Sequence, residues 1–266
     1  MNIREAIHFN YKPMPKIKLT ILGCGTMVPT KTSNPAGFLV ETANKKILLD
    51  AGHGTIRRLT DTGYNIQDID VVFISHFHTD HFGDAFSLVH SRWVDDAYRH
   101  RKHKKLLFVG PRGINKRYRQ WRKIFWPEPE EFYPLTFKEG SGNFKFNKLA
   151  LKAFPVRHVR WFPSVGATLT LGGKKIVYTG DLGSRQNITE LIKEVKETDL
   201  LIIEGASIQP TANHFTLQQV KTVASQAQAK KTLLVHVQPR LLAYAKKFCR
   251  TNKGFIMGRD GLKLTI

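Results

Sequence analysis

The chain has 266 residues with two cysteines far apart, enough to bury one sizeable α/β core and too few thiols for a disulfide framework, so a reducing, cytoplasmic setting is expected. No apolar stretch approaches the length of a membrane span. The formal charge is +21, from 42 basic and 21 acidic side chains, which repels like molecules and attracts polyanions, with nucleic acid expected ahead of a membrane.

Residues 1–15 are polar, carry Pro13 and Pro15 near their end, and lack the apolar centre of a signal peptide. They read as an N-terminal extension before one domain over 16–266. Strands are predicted over 17–22, 37–41, 46–50 and 71–75, then a helix over 82–95. A strand over 106–109 and a helix over 114–125 follow. Strands recur over 132–137, 149–154, 167–171 and 175–179. Strand–helix alternation then returns with a helix over 188–196, a strand over 200–204, a helix over 216–227, a strand over 233–236 and a helix over 241–249. The pattern fits an α/β chain with two mixed sheets packed face to face and helices on the outer faces, an αββα sandwich.

The strand over 71–75 opens onto Ser75-His76-Phe77-His78-Thr79-Asp80-His81. A buried strand ending in a loop is rigid at its base and lets several side chains converge. Imidazole and carboxylate suit borderline metals such as zinc. At this spacing His76 and His78 can face one metal while Asp80 and His81 face a second. His158, Asp181 and His236 each close another apolar run. If those strands are neighbours, their ends meet on one edge of a sheet, where α/β folds place ligands.

The positive charge is concentrated. Between residues 98 and 123 there are eleven Lys or Arg and no Asp or Glu. Arg99, Arg101, Lys102, Lys104 and Lys105 form one block; Arg112, Lys116, Arg117, Arg119, Arg122 and Lys123 form another on the expected helix. Cations release counterions from phosphates, so these blocks point to a polyanion. Of the interleaved aromatics, Tyr118 and Trp121 are expected in the core.

On these residues the sequence resembles the metallo-β-lactamase superfamily, and within it the tRNase Z-like phosphodiesterases, over almost its whole length. Supporting segments are Leu22-Gly23-Cys24-Gly25-Thr26, Pro29-Thr30-Lys31-Thr32-Ser33-Asn34, Asp50-Ala51-Gly52-His53-Gly54, and Glu204 with His214-Phe215-Thr216. The resemblance implies that His76, His78 and His158 hold one Zn2+, that Asp80, His81 and His236 hold the other, and that Asp181 bridges both, with Mn2+ as the alternative ion. It also implies substrate contacts from Lys31 and Asn34, RNA ahead of DNA as partner, and the option of a homodimer. Arg99, Arg101 and Lys102 are further substrate-binding candidates. The departures are specific. Ser33 stands where the tRNase Z loop carries Arg. His158 is followed within a few residues by Gly166, so the long tRNA-gripping arm has no room. His236 continues as Val237-Gln238-Pro239-Arg240 rather than with Ser and an Arg-Tyr pair.

The chemistry expected is hydrolysis at phosphorus. Paired metals lower the pKa of a shared water and neutralise charge on the phosphorane. Asp80 would ligate and orient the nucleophile, and His214, oriented by Glu204, would protonate the leaving oxygen. Two other functions fit the same residues: a small-molecule metallohydrolase for lactones, cyclic phosphodiesters or β-lactams, and a non-enzymatic nucleic-acid-binding protein with structural metal.

Overall fold

The computed structural model describes residues 16–42, 44–127, 133–146 and 149–266; the expected extension 1–15 and the first residue of the expected strand 132–137 lie outside them. Strands β1 (Lys18–Gly23), β2 (Gly37–Glu41), β3 (Lys46–Leu49), β4 (Val71–Phe73), β5 (Leu106–Gly110) and β6 (Leu135–Glu139) form one sheet in chain order. Strands β7 (Gly142–Phe146), β8 (Leu149–Val156), β9 (Ser164–Leu171), β10 (Lys174–Tyr178), β11 (Leu200–Glu204), β12 (Thr232–Val235) and β13 (Phe255–Met257) form the second. Strand β14 (Lys263–Thr265) returns to the first sheet beside β1.

Both sheets are mixed, and in the same way. Strands β1 to β3 are antiparallel and β3 to β6 parallel. Likewise β7 to β10 are antiparallel and β10 to β13 parallel. Crossovers between parallel strands need a helix or long loop. These are supplied by α1 (Thr55–Asp61), α2 (Thr79–Phe82), α3 (Ala85–Tyr98), α4 (Ile114–Phe125), α5 (Ile188–Glu194), α6 (Leu217–Gln226) and α7 (Leu242–Thr251). No described helix is long and apolar enough to cross a membrane.

Side-chain alternation sorts the apolar residues into three layers. Leu19, Ile21, Phe38, Phe73 and Val109 of the first sheet meet Leu151, Ala167, Ile176, Ile202 and Leu233 of the second. Leu22, Leu39, Val72, Ile74 and Phe108 point the other way, against Leu59, Leu88 and Ile114 of the first helix layer. Val177, Leu201, Ile203 and Leu234 cover Leu191, Val220 and Ala245 of the second. This is the αββα sandwich expected from the sequence.

Two details differ. The helix expected over 82–95 is two helices, α2 and α3, because the chain turns at Gly83–Asp84 and the Asp84 carboxylate accepts Ile56 N at 2.9 Å instead of continuing one axis. Strands β7, β13 and β14 and helix α1 were not anticipated; they are short and lie on sheet edges or carry few apolar residues. Tyr118 is buried and Trp121 packs on the same layer, as expected, whereas Tyr98 is exposed.

Candidate metal centre

The parallel strands aim their C-terminal ends at one edge of the sandwich. There β3 delivers Asp50, β4 delivers Ser75 and His76, β10 delivers Gly180 and Asp181, β11 ends on Glu204, and β12 delivers His236. His158 follows β8, and α2 carries Asp80 and His81 in its single turn. Local backbone geometry brings these ends close. Gly180 has φ +61°, and a Cβ there would lie 2.6 Å from Ser75 Cβ. A Cβ at Gly52 would lie 2.1 Å from the Asp80 carbonyl oxygen, which also accepts Ala36 N at 2.9 Å.

Three imidazole nitrogens converge on one side. His78 Nδ1 lies 3.0 Å from His76 Nε2 and 3.2 Å from His158 Nε2. Two donors bound at zinc's usual bond length in a tetrahedron sit about 3.3 Å apart, so this triangle fits one ion. On the other side His236 Nε2 is 3.1 Å and His81 Nε2 3.7 Å from Asp80 Oδ2. Asp181 stands between: Oδ1 is 3.3 Å from His81 Nε2, and Oδ2 is 3.6 Å from His236, 3.8 Å from His158 and 4.0 Å from His76. Asp80 Oδ1, His81 Nε2 and Asp181 Oδ1 are buried with no hydrogen-bond partner among the described residues. Unpaired buried polar atoms are costly: a divalent cation satisfies His81 Nε2 and Asp181 Oδ1, and Asp80 Oδ1 is left to hold a water. The donor set has the capacity for one or two divalent metal ions.

The outer partners set each tautomer. Asp50, buried and at φ +56°, accepts Ser75 N through Oδ1 at 2.6 Å. Its Oδ2 accepts Ser75 Oγ, Tyr178 OH and His81 Nδ1, each at 2.6 Å. With its hydroxyl hydrogen committed to Asp50, Ser75 Oγ accepts from His76 Nδ1 at 3.0 Å. His158 Nδ1 donates to the Asn213 carbonyl at 2.8 Å. Each of these three rings therefore presents Nε2 to the centre, the arrangement seen when a second shell orients metal-binding histidines. The sequence places Asp50 and Ser75 within recognisable segments but assigns neither them nor Tyr178 a role at the centre.

Electrostatics divide the rings: burial lowers His81, but Asp181 and Asp50 overcome it and hold His81 well above the ordinary imidazole range, so a cation would displace the proton on its Nε2. Burial, reinforced by the neighbouring imidazoles, holds His76, His78 and His158 below the ordinary imidazole range, so they are neutral donors. Burial raises Asp181, but the surrounding histidines, His236 and His81 foremost, hold it well below the usual carboxylate range.

Glu204 is buried, and its Oε1 accepts Leu182 N, Phe215 N and His214 Nδ1 at 3.0, 3.1 and 3.2 Å. His214 is partly exposed, 3.8 Å from Asp181. Burial lowers its pKa, but the Glu204 hydrogen bond and charge, aided by Asp181, overcome that and push it up to about 9. His78, Asp80, Asp181, His214 and His236 line a cavity of 310 Å³ whose outer wall is Thr26, Met27 and Val28.

The substrate-binding candidates separate. Lys31 is exposed on the loop that continues from this wall. Asn34 on the same loop is held through its N and Nδ2, both 2.8 Å from Asp260 Oδ2. Arg99, Arg101 and Lys102 are not brought to the centre. They precede β5, which runs parallel to β4, so they lie at the strand end opposite His76. Arg99 and Arg101 are also ion-paired to Asp95, and Arg101 to Asp96. Of the second basic block, Arg117 does approach, its guanidinium 3.9 Å above the Phe77 ring.

Known proteins resemble this chain over most of its length. A ribonuclease Z of Archaeoglobus fulgidus is 24 % identical over 293 aligned positions, covering 86 % of this chain and 92 % of the relative. The structure of human tRNase Z, short form, superposes with a TM-score of 0.76 at 21 % identity, covering 93 % of this chain and 98 % of the other. The metallo-β-lactamase fold protein YhfI of Bacillus subtilis superposes with a TM-score of 0.77 at 19 % identity, covering 95 % of this chain and all of the other. The fold and the clustered ligand residues are those of a metal-dependent hydrolase. A family model described as "Anti-Pycsar protein Apyc1" matches residues 17–257, and the chain, on its metallo-β-lactamase fold, belongs to that family.

Proposed function

We propose that the chain is a binuclear Zn2+-dependent phosphodiesterase, with His76, His78 and His158 holding one ion, Asp80, His81 and His236 the other, and Asp181 shared. The observation that carries this reading is the juxtaposition of two donor clusters around Asp181 with a His214–Glu204 pair 3.2 Å apart at the same cavity. Metals bound there would supply an acidic water and positive charge opposite a phosphorane. The protein's own groups complete the chemistry. Asp80 orients the attacking water through the oxygen left unpaired. His214 stands protonated at neutral pH and delivers its proton to the leaving oxygen, and Glu204 holds its Nδ1 so that Nε2 is the donating atom.

Two substrates suit this site. RNA is supported by the relatives named ribonuclease Z and by the basic charge. A small cyclic phosphodiester is supported by two structural observations. The 310 Å³ cavity is at the small end of ligand pockets. The connection from His158 to β9 is only the loop 159–163, too short for an RNA-gripping arm. The test is turnover by the zinc- or manganese-loaded protein of single-stranded RNA, a nucleoside cyclic phosphate, bis(p-nitrophenyl) phosphate and a lactone. Cleavage of phosphodiesters in preference to the lactone is expected. Lactone turnover with every phosphodiester untouched sinks the reading.

A further inference from the structure

We propose that the loop 157–163, together with Arg185, forms a nucleobase-binding subsite beside the metal centre, with Trp161 as the stacking surface and Arg160 and Arg185 as phosphate contacts. The inference rests on the phosphodiesterase reading and names the part of the substrate it recognises: a base carried on a phosphodiester.

Trp161 is 80 % exposed, an unusual position for an indole. It does not sit on a loose loop. The next residue, Phe162, packs edge-on against His78 at 5.0 Å and face-on to His76 at 5.9 Å between ring centroids. Three residues earlier, His158 is fixed to Asn213. The backbone leading into the loop is tied down as well: Arg157 N donates to Gln186 Oε1 at 2.7 Å and its carbonyl accepts Gly183 N at 2.6 Å. A rigidly held, exposed indole one residue from a ring that touches the centre is a surface prepared for a flat partner.

Two adjoining clefts, of 490 and 460 Å³, share Val159, Arg160, Trp161 and Arg185 as walls. One is bounded by His158 and Asn213, so it adjoins the metal centre on the outer side of the His158 ring. The other contains Ser164, whose hydroxyl is buried, 6 % exposed for the residue, and has no partner among the described residues. Such a hydroxyl wants a ligand atom. No carboxylate lines either cleft, and Arg157, Arg160 and Arg185 take part in no ion pair among the described residues. Free guanidinium groups around an indole match an anion bearing an aromatic ring: they pair with phosphate oxygens, and any base has a π-face to stack.

The base can belong to a nucleoside cyclic phosphate or to a single-stranded polymer. Calorimetric Kd values on the metal-loaded protein separate these, using cleavage-resistant phosphorothioates of a nucleoside cyclic phosphate and of a hexanucleotide, each beside its base-free counterpart. The base-bearing ligand of one pair should bind roughly ten-fold or more tightly than its base-free counterpart. Trp161→Ala should abolish that preference and Trp161→Phe keep most of it. Arg160→Ala with Arg185→Ala should weaken base-bearing and base-free ligands alike. The pair that shows the preference identifies the source. Equal binding with and without the base by the wild type, a preference that survives Trp161→Ala, or a Trp161→Ala variant that changes only its oligomeric state overturns the proposal. Base preference without any hydrolysis would remove the phosphodiesterase and keep the subsite; hydrolysis of bis(p-nitrophenyl) phosphate with no base preference would do the reverse.

Discussion

Asp50 Oδ2 lies 2.6 Å from His81 Nδ1, inside the protein and on the side of the ring away from the metal centre. The carboxylate fixes His81 with a proton on Nδ1 and turns Nε2 toward Asp80 and Asp181, where its lone pair would be available to a bound cation. Replacing Asp50 by Asn keeps the size but offers an amide hydrogen where an acceptor is needed. Metal affinity should drop roughly 10- to 100-fold, the usual cost of losing an outer-shell partner. Competition with a chromogenic chelator measures it. An Asp50→Asn variant with wild-type affinity would mean that His81 does not ligate through Nε2.

Asp50 also marks where the sequence stops being readable. The cluster at 76–81 and the residues His158, Asp181 and His236 stand out because each closes an apolar run, and strand ends are where a sheet gathers side chains. The structure brings all of them, with Glu204 and His214, to one edge. Asp50 likewise closes a strand, but it acts only through Ser75, His81 and Tyr178, which are 25, 31 and 128 positions away. No local pattern encodes that. The basic run shows the converse. Its charge is plain in the sequence, but which end of β5 it occupies depends on strand direction, and that placed Arg99, Arg101 and Lys102 away from the site. Trp161 was passed over because a single aromatic in a loop carries no periodicity.

On the proposed mechanism His214 should give the pH profile its alkaline limb. It is pushed up to about 9, chiefly by the Glu204 hydrogen bond and charge acting against burial. A general acid works in its protonated form, so activity should be retained below that value and lost as pH rises through it. Cations at the centre move the limb down. Glu204→Gln should move it further, toward the ordinary imidazole value of about 6.5. His214→Ala should remove the limb and lower kcat by roughly 10²- to 10⁴-fold. A pH–rate profile with the same alkaline limb in His214→Ala would assign the proton to another group.

Chelation should abolish activity without unfolding the chain. In the metal-free protein Asp181 still has His81 and His236 within 3.3 and 3.6 Å, so its charge is compensated. Metal at about 100 times its Kd adds roughly 2.7 kcal/mol to stability. For a chain of this size that raises Tm by about 5–10 °C. Thermal melts with and without zinc measure the shift. No shift, in a protein shown by elemental analysis to take up zinc, would place the ions elsewhere on the surface.

The first basic block should act at a distance or not at all. Helix α3 has 14 residues, so Arg99 lies about 21 Å along its axis from the end nearest the centre. Replacing Arg99, Arg101 and Lys102 by Ala should leave kcat and KM for bis(p-nitrophenyl) phosphate within about two-fold. Polynucleotide affinity should fall only through a shallower salt slope. A large loss of small-ester turnover in a folded variant would contradict the strand directions that separate this block from His76.

Gly52 offers a test of the two donor clusters separately. A methyl group there would meet the Asp80 carbonyl oxygen at 2.1 Å, far inside van der Waals contact, so in Gly52→Ala the turn carrying Asp80 and His81 has to move. His76 and His158 are set by Ser75 and Asn213, which the substitution does not touch, and His78, the residue that caps the turn, is also packed on Phe162 outside it. The variant should therefore lose affinity at the Asp80–His81–His236 cluster and keep it at the other. Elemental analysis should fall from two zinc ions per chain toward one, with hydrolysis lost, because the water-orienting carboxylate moves with the turn. Retention of both ions would show that the turn can shift without disturbing its donors. Loss of both would show that Asp181 cannot hold the first ion without the second, and that the clusters are one cooperative site.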